Sequence, residues 1–190
     1  MILLKFQEKE KKLSNFQILF TYFCIYSCFG WIMETLYVSN LNGFLVKRGF
    51  LLGPICPIYG CGAIMLITLL SKYKKNPAKL FIYAVVVFSV FEYIVSFGLE
   101  ALYSNIWWDY STHFLNLNGR ITLFSSLVWG ILALIFFNPL HPFIEKKVNY
   151  LTTNLSLKSQ NIIVNFILLI YIADTLFSSI LHLFIKINYK

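Results

Sequence analysis

Long apolar runs separated by short polar segments dominate the chain. Five such runs cover roughly residues 16–38, 50–70, 78–103, 121–137 and 161–185. A helix needs about 20 residues to cross the hydrocarbon core of a bilayer. A backbone at that depth must satisfy its own hydrogen bonds, which a helix does. The pattern therefore predicts an all-α fold, a polytopic transmembrane helical bundle of about five spans.

The first apolar run is longer than the core of a signal peptide, which has roughly 7–15 apolar residues. No cleavage site of small residues is evident near its end. We therefore predict that this run is a retained first span. The chain then divides into a basic N-terminal segment, residues 1–15, and a single transmembrane domain, residues 16–185.

The composition supports a membrane environment. Of the 190 residues, 58% are hydrophobic and only 13% are charged, and the mean hydropathy is +0.71. Soluble domains carry about 25% charged residues. A soluble globule of this size could not bury so much apolar surface, whereas a bilayer removes that requirement.

The basic residues predict an orientation. The formal net charge is +8, and the cations lie in short segments between the apolar runs. Segments 1–15, 71–79 and 138–160 hold eleven Lys, and the other segments hold five Lys or Arg. The positive-inside rule then places the N-terminus in the cytoplasm and the C-terminus outside, in the plasma membrane. Cations in this pattern indicate contact with lipid head groups, not with nucleic acid.

The start of the second run is irregular in composition. Residues 53–62 contain two Pro and three Gly, which do not favour a regular helix. Two structures are compatible with this stretch. One is a broken or re-entrant helix lining a protected cavity at membrane depth. The other is a helix that begins at a proline near the interface.

Charged residues inside or beside the spans give the candidate site. A charge at the bilayer centre costs about 2.5–3.5 kcal/mol on insertion scales, so a retained charge usually has a role. Carboxylates lie in the first and third spans, and Glu92, Ser96 and Glu100 recur every four residues on one helix face. The predicted substrate-binding residues all belong to the outer half of the protein; they are Glu34, Arg48, Glu92, Glu100, Asp109 and Arg120.

The four carboxylates are nearly balanced by three cations, Lys47, Arg48 and Arg120, which predicts buried ion pairs beneath a lid of Trp107, Trp108 and Tyr110. The same pairs could instead only lock the helices together and fix the loops. The tryptophans are also typical of an interfacial aromatic belt.

Asp174, two histidines and the four cysteines are interpreted separately from the candidate site. Asp174, within the fifth span, is either the partner of a basic group or a site residue. His141 is predicted to be solvated in a cytoplasmic loop, and His182 to be interfacial. The four cysteines, all in apolar segments, are read as small buried side chains. We expect no disulfide, no metal site and no cofactor, and the sequence contains no P-loop motif.

Several short motifs together carry a resemblance to a known family. They are Gly30-Trp31 with Glu34, Lys47-Arg48-Gly49-Phe50, Gly53-Pro54, Pro57-Ile58-Tyr59-Gly60, Phe91-Glu92-Tyr93 with Glu100, Trp107-Trp108-Asp109-Tyr110-Ser111 and Asn118-Gly119-Arg120-Ile121. In these residues the chain resembles a bacterial membrane family, the putative ABC-transporter type IV or CmpB-like proteins. The resemblance spans roughly residues 18–145 and leaves the fifth span outside.

The resemblance implies a multi-pass permease, and a permease of an ABC system would need a separate ATPase subunit. Our leading hypothesis is a transporter permease-like component with an outward-facing polar site of buried Glu and Arg. The alternatives are a membrane-embedded enzyme acting on a lipid or isoprenoid substrate, and a non-catalytic accessory membrane subunit. The expected partners are the lipid bilayer and either an ATPase subunit or further copies of the chain.

Overall fold

The computed structural model describes residues 13–188, without the side chain of residue 188. It confirms the predicted all-α bundle. The helices are α1 (Asn15–Asn42), α2 (Pro57–Met65), α3 (Pro77–Tyr103), α4 (Leu123–Ile135), α5 (His141–Thr153) and α6 (Leu157–Asn188). Two short antiparallel strands, β1 (Asn116–Leu117) and β2 (Ile121–Thr122), form a hairpin in the loop after α3. Residues 1–12 of the predicted basic segment lie outside the described residues.

Four helical stretches of the described chain are long and apolar enough to cross a membrane, and they are Asn15–Asn42, Pro77–Tyr103, Leu123–Thr153 and Leu157–Ile187. A shorter apolar helical stretch, Pro57–Tyr73, stands between the first two. In α6, most apolar side chains face outward rather than into the protein. Apolar faces exposed in this way fit the interior of a lipid bilayer, where no polar surface is needed.

The fourth apolar helix continues well past the predicted end at residue 137. A π-helical turn, Phe136–Leu140, joins α4 to α5 and contains Pro139. A proline cannot donate the helical hydrogen bond, and the wider π turn lets the helix continue through it. The whole stretch of 31 residues is about 46 Å long at 1.5 Å per residue. Because the hydrocarbon core is only about 30 Å thick, part of it extends beyond that layer.

This continuation overturns the prediction that His141 is solvated in a loop. His141 begins α5, its Nδ1 lies 2.8 Å from the Tyr26 hydroxyl, and its ring stacks on Phe136 at 4.9 Å. The flanking prolines suggested a loop, but a proline in the first turn of a helix needs no hydrogen-bond acceptor. His141 therefore belongs to the aromatic core between α1 and the α4–α5 helix.

The irregular segment is shorter than the proline and glycine pattern suggested. The helix α2 begins at Pro57 with Cys56 as its N-cap, so that Tyr59–Gly62 are helical. Residues 50–56 are not helical, and their amides need acceptors. Asp174 of α6 supplies them: its carboxylate accepts the backbone N–H groups of Leu52 at 3.0 Å and Gly53 at 2.9 Å. Asp174 thus anchors α6 to this segment, and no cation of residues 13–188 forms an ion pair with it.

The helix ends meet at two opposite faces of the bundle. At one face, Gln17 at the start of α1 donates to Asn161 near the start of α6 at 2.8 Å. At the other, His182 lies 3.0 Å from the Phe50 carbonyl, and Lys186 donates to the Leu102 carbonyl at 2.8 Å. The loops of residues 43–56 and 104–122 therefore share the second face. We call it the outer end, in keeping with the predicted orientation.

Two glycines bring α1 and α2 into close contact. A Cβ on Gly30 would lie 2.1 Å from the Tyr59 ring, and one on Gly60 would lie 2.1 Å from the Ser27 hydroxyl oxygen. Small residues at helix interfaces allow this approach in membranes, where packing drives helix association. The Cys56 N–H also donates to the Ser27 carbonyl at 3.0 Å, so the start of α2 is fixed against α1.

We expect Gly60→Ala to destabilise the protein by about 1–3 kcal/mol, the usual range for overpacking. The Cβ would meet the Phe23 carbonyl oxygen at 2.6 Å, which is backbone and has little room to move. Gly98→Ala in α3 is the matched control, because nothing lies within 4 Å of its Cβ position. Thermal unfolding of the purified protein should rank wild type and Gly98→Ala above Gly60→Ala, and equal stabilities would contradict the packing described.

Candidate functional site

The loop of residues 104–122 covers the outer end of the bundle. Its hairpin turn uses positive φ at Asn118 and Gly119, and the Tyr110 N–H donates to the Gly119 carbonyl at 2.8 Å. The indole of Trp108 donates to the Arg120 carbonyl at 3.0 Å. These bonds hold Trp108 and Tyr110 in fixed positions beside the helices.

Asp109 shapes this loop. Its carboxylate accepts the Ser111 N–H at 2.8 Å, an Asx turn that bends the chain locally. The residue is exposed, and its carboxylate would meet a side chain added at Gly119. The structure therefore places Asp109 in the loop and not with the other predicted site residues.

An ion pair joins α1 to the loop that precedes α2. The Arg48 guanidinium binds the Glu34 carboxylate through Nη2 at 2.8 Å and Nε at 2.9 Å. Nη2 also donates to the Trp107 carbonyl at 3.1 Å, and Trp31 donates to the Arg48 carbonyl at 3.0 Å. The two charged side chains are 25% and 22% exposed, so the pair is largely shielded from solvent. Arg48 thus neutralises Glu34 and ties together both outer loops.

Glu92 on α3 has a different environment. It is 5% exposed, and no Lys, Arg or His among the described residues forms an ion pair with it. Its partners are neutral groups: the Trp129 indole at 3.0 Å, the Tyr110 hydroxyl at 3.4 Å and the Ser125 side chain. Burial raises the pKa of Tyr110, and the neighbouring Glu92 raises it further, so Tyr110 is a neutral phenol at physiological pH.

Glu34 and Glu92 line one small cavity of about 80 Å³. Its other walls come from α2, α4 and the loop after α3, and the lining residues are Ile58, Tyr59, Trp108, Tyr110 and Trp129. The cavity therefore lies where four helices and the outer loop meet. Two carboxylates from different helices line it.

Glu100 and Arg120 lie apart from this cavity. They form a second ion pair, with Arg120 Nη2 2.6 Å from Glu100 Oε2. The Arg120 guanidinium also lies over the rings of Tyr93 at 5.7 Å and Phe97 at 5.5 Å. The pair borders a separate pocket of about 390 Å³ with Phe97, Ala101, Ser104 and Ile106. Of the six predicted residues, two line the cavity, two border the second pocket, Asp109 forms the loop turn, and Arg48 reaches the cavity only through its ion pair with Glu34.

The comparisons with known proteins give a family. The family described as "Putative ABC-transporter type IV" matches residues 21–179, which is well over half of the chain. The chain belongs to this family. No curated protein and no solved structure matches it.

The family match extends further than the resemblance read from the motifs. That resemblance ended near residue 145, whereas the match continues through α6 as far as residue 179. It includes Asp174 and Ser178, which hold the irregular segment before α2. As a member of this transporter-like membrane family, the chain is a multi-pass membrane protein, and the family match includes most of α6.

Two residues that line the cavity, Trp129 and Tyr59, were not among the predicted site residues. Trp129 is in the middle of α4, away from the helix ends where tryptophans usually form an interfacial belt. Its central position in an apolar run was the available signal, because a buried indole N–H needs an acceptor. Tyr59 was noted only as part of a motif, and its ring is placed by the close contact with Gly30.

We expect a double-mutant cycle to reveal coupling between Glu34 and Arg48. Glu34→Gln leaves the Arg48 charge without its partner, while Arg48→Gln leaves the carboxylate alone, so each single change should destabilise the protein. The double variant should recover part of the loss, with a coupling energy of about 0.5–3 kcal/mol. Unfolding of the purified variants measures it, and additive effects would show that the pair contributes no coupling.

Proposed function

We propose that the chain is a permease-like component of a membrane transporter and that the cavity between Glu34 and Glu92 binds its substrate. Membership of the transporter-like family supports the general role. The observation that carries the proposal is Glu92, a carboxylate that is 95% buried, has no ionic partner among the described residues and borders a cavity.

The hydrogen bonds hold Glu92 in place, but they leave its charge without an ionic partner among the described residues. A buried charge is usually paired, because its removal from water is expensive. The indole and phenol donors each reach a different oxygen of Glu92, and the Ser125 side chain is a third hydrogen-bond partner. Because a carboxylate has about four acceptor sites, capacity for a further donor remains. Glu92 can therefore accept a hydrogen bond or a positive charge from a molecule that enters the cavity.

In this proposal, the remaining charged groups hold the loop that borders the cavity. The Glu34–Arg48 pair holds Trp107, and the Arg120 backbone holds Trp108, so both fix the loop that borders the cavity at the outer end. Substrate would enter from that end when the loop moves. Glu100, Arg120 and Asp109 would then act through the loop rather than by contact with substrate.

The energy source would reside in another protein. The sequence has no phosphate-binding loop, so ATP-driven transport would require a separate ATPase subunit. In the predicted orientation that subunit would meet the cytoplasmic end of the bundle.

We expect Glu92→Gln to abolish transport while the protein is still made and inserted. The substitution removes the charge but keeps the shape and an acceptor for Trp129. The measurement is an untargeted mass-spectrometric profile of solutes taken up by cells that make wild type, the variant or no protein. Glu92→Gln should reproduce the profile of cells without the protein.

The matched control is Glu145→Gln, which removes one exposed carboxylate far from the cavity. It should leave the uptake profile unchanged. A wild-type profile for Glu92→Gln, at normal abundance in the membrane, would show that the cavity has no part in transport.

A further inference from the structure

We infer that the cavity between Glu34 and Glu92 recognises a compact organic ammonium group, and this inference rests on the proposed transport function. The charge of the cavity is the first step. Arg48 already neutralises Glu34, whereas Glu92 has only neutral donors among the described residues. When both carboxylates are ionised, the group carries one net negative charge, which suits a single monovalent cation.

The walls favour an organic cation. Four of the seven lining residues are aromatic, namely Tyr59, Trp108, Tyr110 and Trp129. The face of an aromatic ring attracts a cation, and tryptophan does so most strongly, which is how proteins recognise alkylammonium ligands. The charge of Glu92, which no described Lys, Arg or His neutralises, opposes an anionic ligand. Arg48 is engaged with Glu34 and the Trp107 carbonyl, so it is not directed to an anion either.

The walls do not suit a divalent metal ion. Magnesium and calcium take six or more oxygen ligands, whereas four of the seven residues that line this cavity are aromatic and only two are carboxylates. Among the described residues, no cluster of three or more His, Cys, Asp or Glu could hold a metal ion. The carboxylate of Glu92 would instead accept N–H bonds of an ammonium group, and the rings would surround its alkyl part.

The volume limits the size of the group. About 80 Å³ accommodates only a few non-hydrogen atoms, given that a water occupies about 30 Å³ of the liquid. The cavity therefore fits a small amine, or the amine end of a longer molecule. A bulky quaternary cation would not enter without displacement of Trp108 or Tyr110.

The test measures ligand binding to the purified full chain in lipid nanodiscs. Tryptophan fluorescence reports the binding, because Trp108 and Trp129 border the cavity. Methylammonium and ethylammonium are the probes. Four comparison solutes test the selectivity. Ethanol tests whether binding needs a charge, and acetate tests whether that charge must be positive. Tetraethylammonium tests whether a larger organic cation is excluded, and sodium tests whether an inorganic cation binds. We expect saturable binding of the two small amines and none of the four comparison solutes. Saturable binding of sodium or acetate at similar concentrations, or no amine binding by wild type, overturns the inference.

A variant and its control test whether the amine binds at Glu92. Glu92→Gln should weaken amine binding about 10- to 100-fold, the loss expected for a hydrogen bond to a charged group. Glu145→Gln should bind as wild type does, and unchanged binding by Glu92→Gln would contradict the assignment. If Glu92→Gln fails to fold, the discrimination among solutes by wild type still decides the question.

Failure of this inference is distinguishable from failure of the proposed function. If Glu92→Gln abolishes the uptake of solutes without an amino group, and wild type binds no amine, the cavity transports another class of substrate. If wild type binds amines but the uptake profile of Glu92→Gln is normal, the ammonium site exists without a transport role.

Discussion

A carboxylate held inside an apolar bundle by neutral donors is the constraint on which the rest of this structure depends. Glu92 is 5% exposed, and its partners, Trp129 and Tyr110, come from α4 and from the loop that covers the outer end. Since an unsatisfied buried acceptor is expensive, α3, α4 and this loop must keep their relative positions. The close contact of α1 with α2 completes the walls, because Gly30 lets the Tyr59 ring approach.

The other charges are arranged around that centre and are mostly neutralised. Arg48 pairs with Glu34, Arg120 pairs with Glu100, and Asp174 accepts backbone N–H groups of the irregular segment. Each of these contacts joins elements that are distant in the sequence. Partly shielded pairs of this kind add geometric definition more than net stability. They fix the loops and α6 around a cavity in which one carboxylate is left available.

The sequence predicted the bundle because 20-residue apolar runs have few other solutions in a bilayer. It also identified Glu34 and Glu92, since the cost of an intramembrane charge makes such residues stand out. The sequence could not show which groups each of these charged side chains contacts. Glu100 shares a helix face with Glu92, yet it lies two turns further along, where Arg120 reaches it. The role of Asp174 depended on backbone amides, and that of His141 on a helix that continues past Pro139, neither of which a residue pattern displays.

Access to the cavity from the outer end is the central claim, and thiol labelling tests it most directly. The test uses a variant in which the four native cysteines are replaced by Ser. A single new cysteine then replaces Ile58, which lines the cavity. A small, membrane-impermeant thiol reagent is then added outside intact cells. Labelling of residue 58 that falls when methylammonium is present is the result the account predicts. No labelling from outside, together with labelling of an exposed Phe114→Cys control in the outer loop, would contradict it.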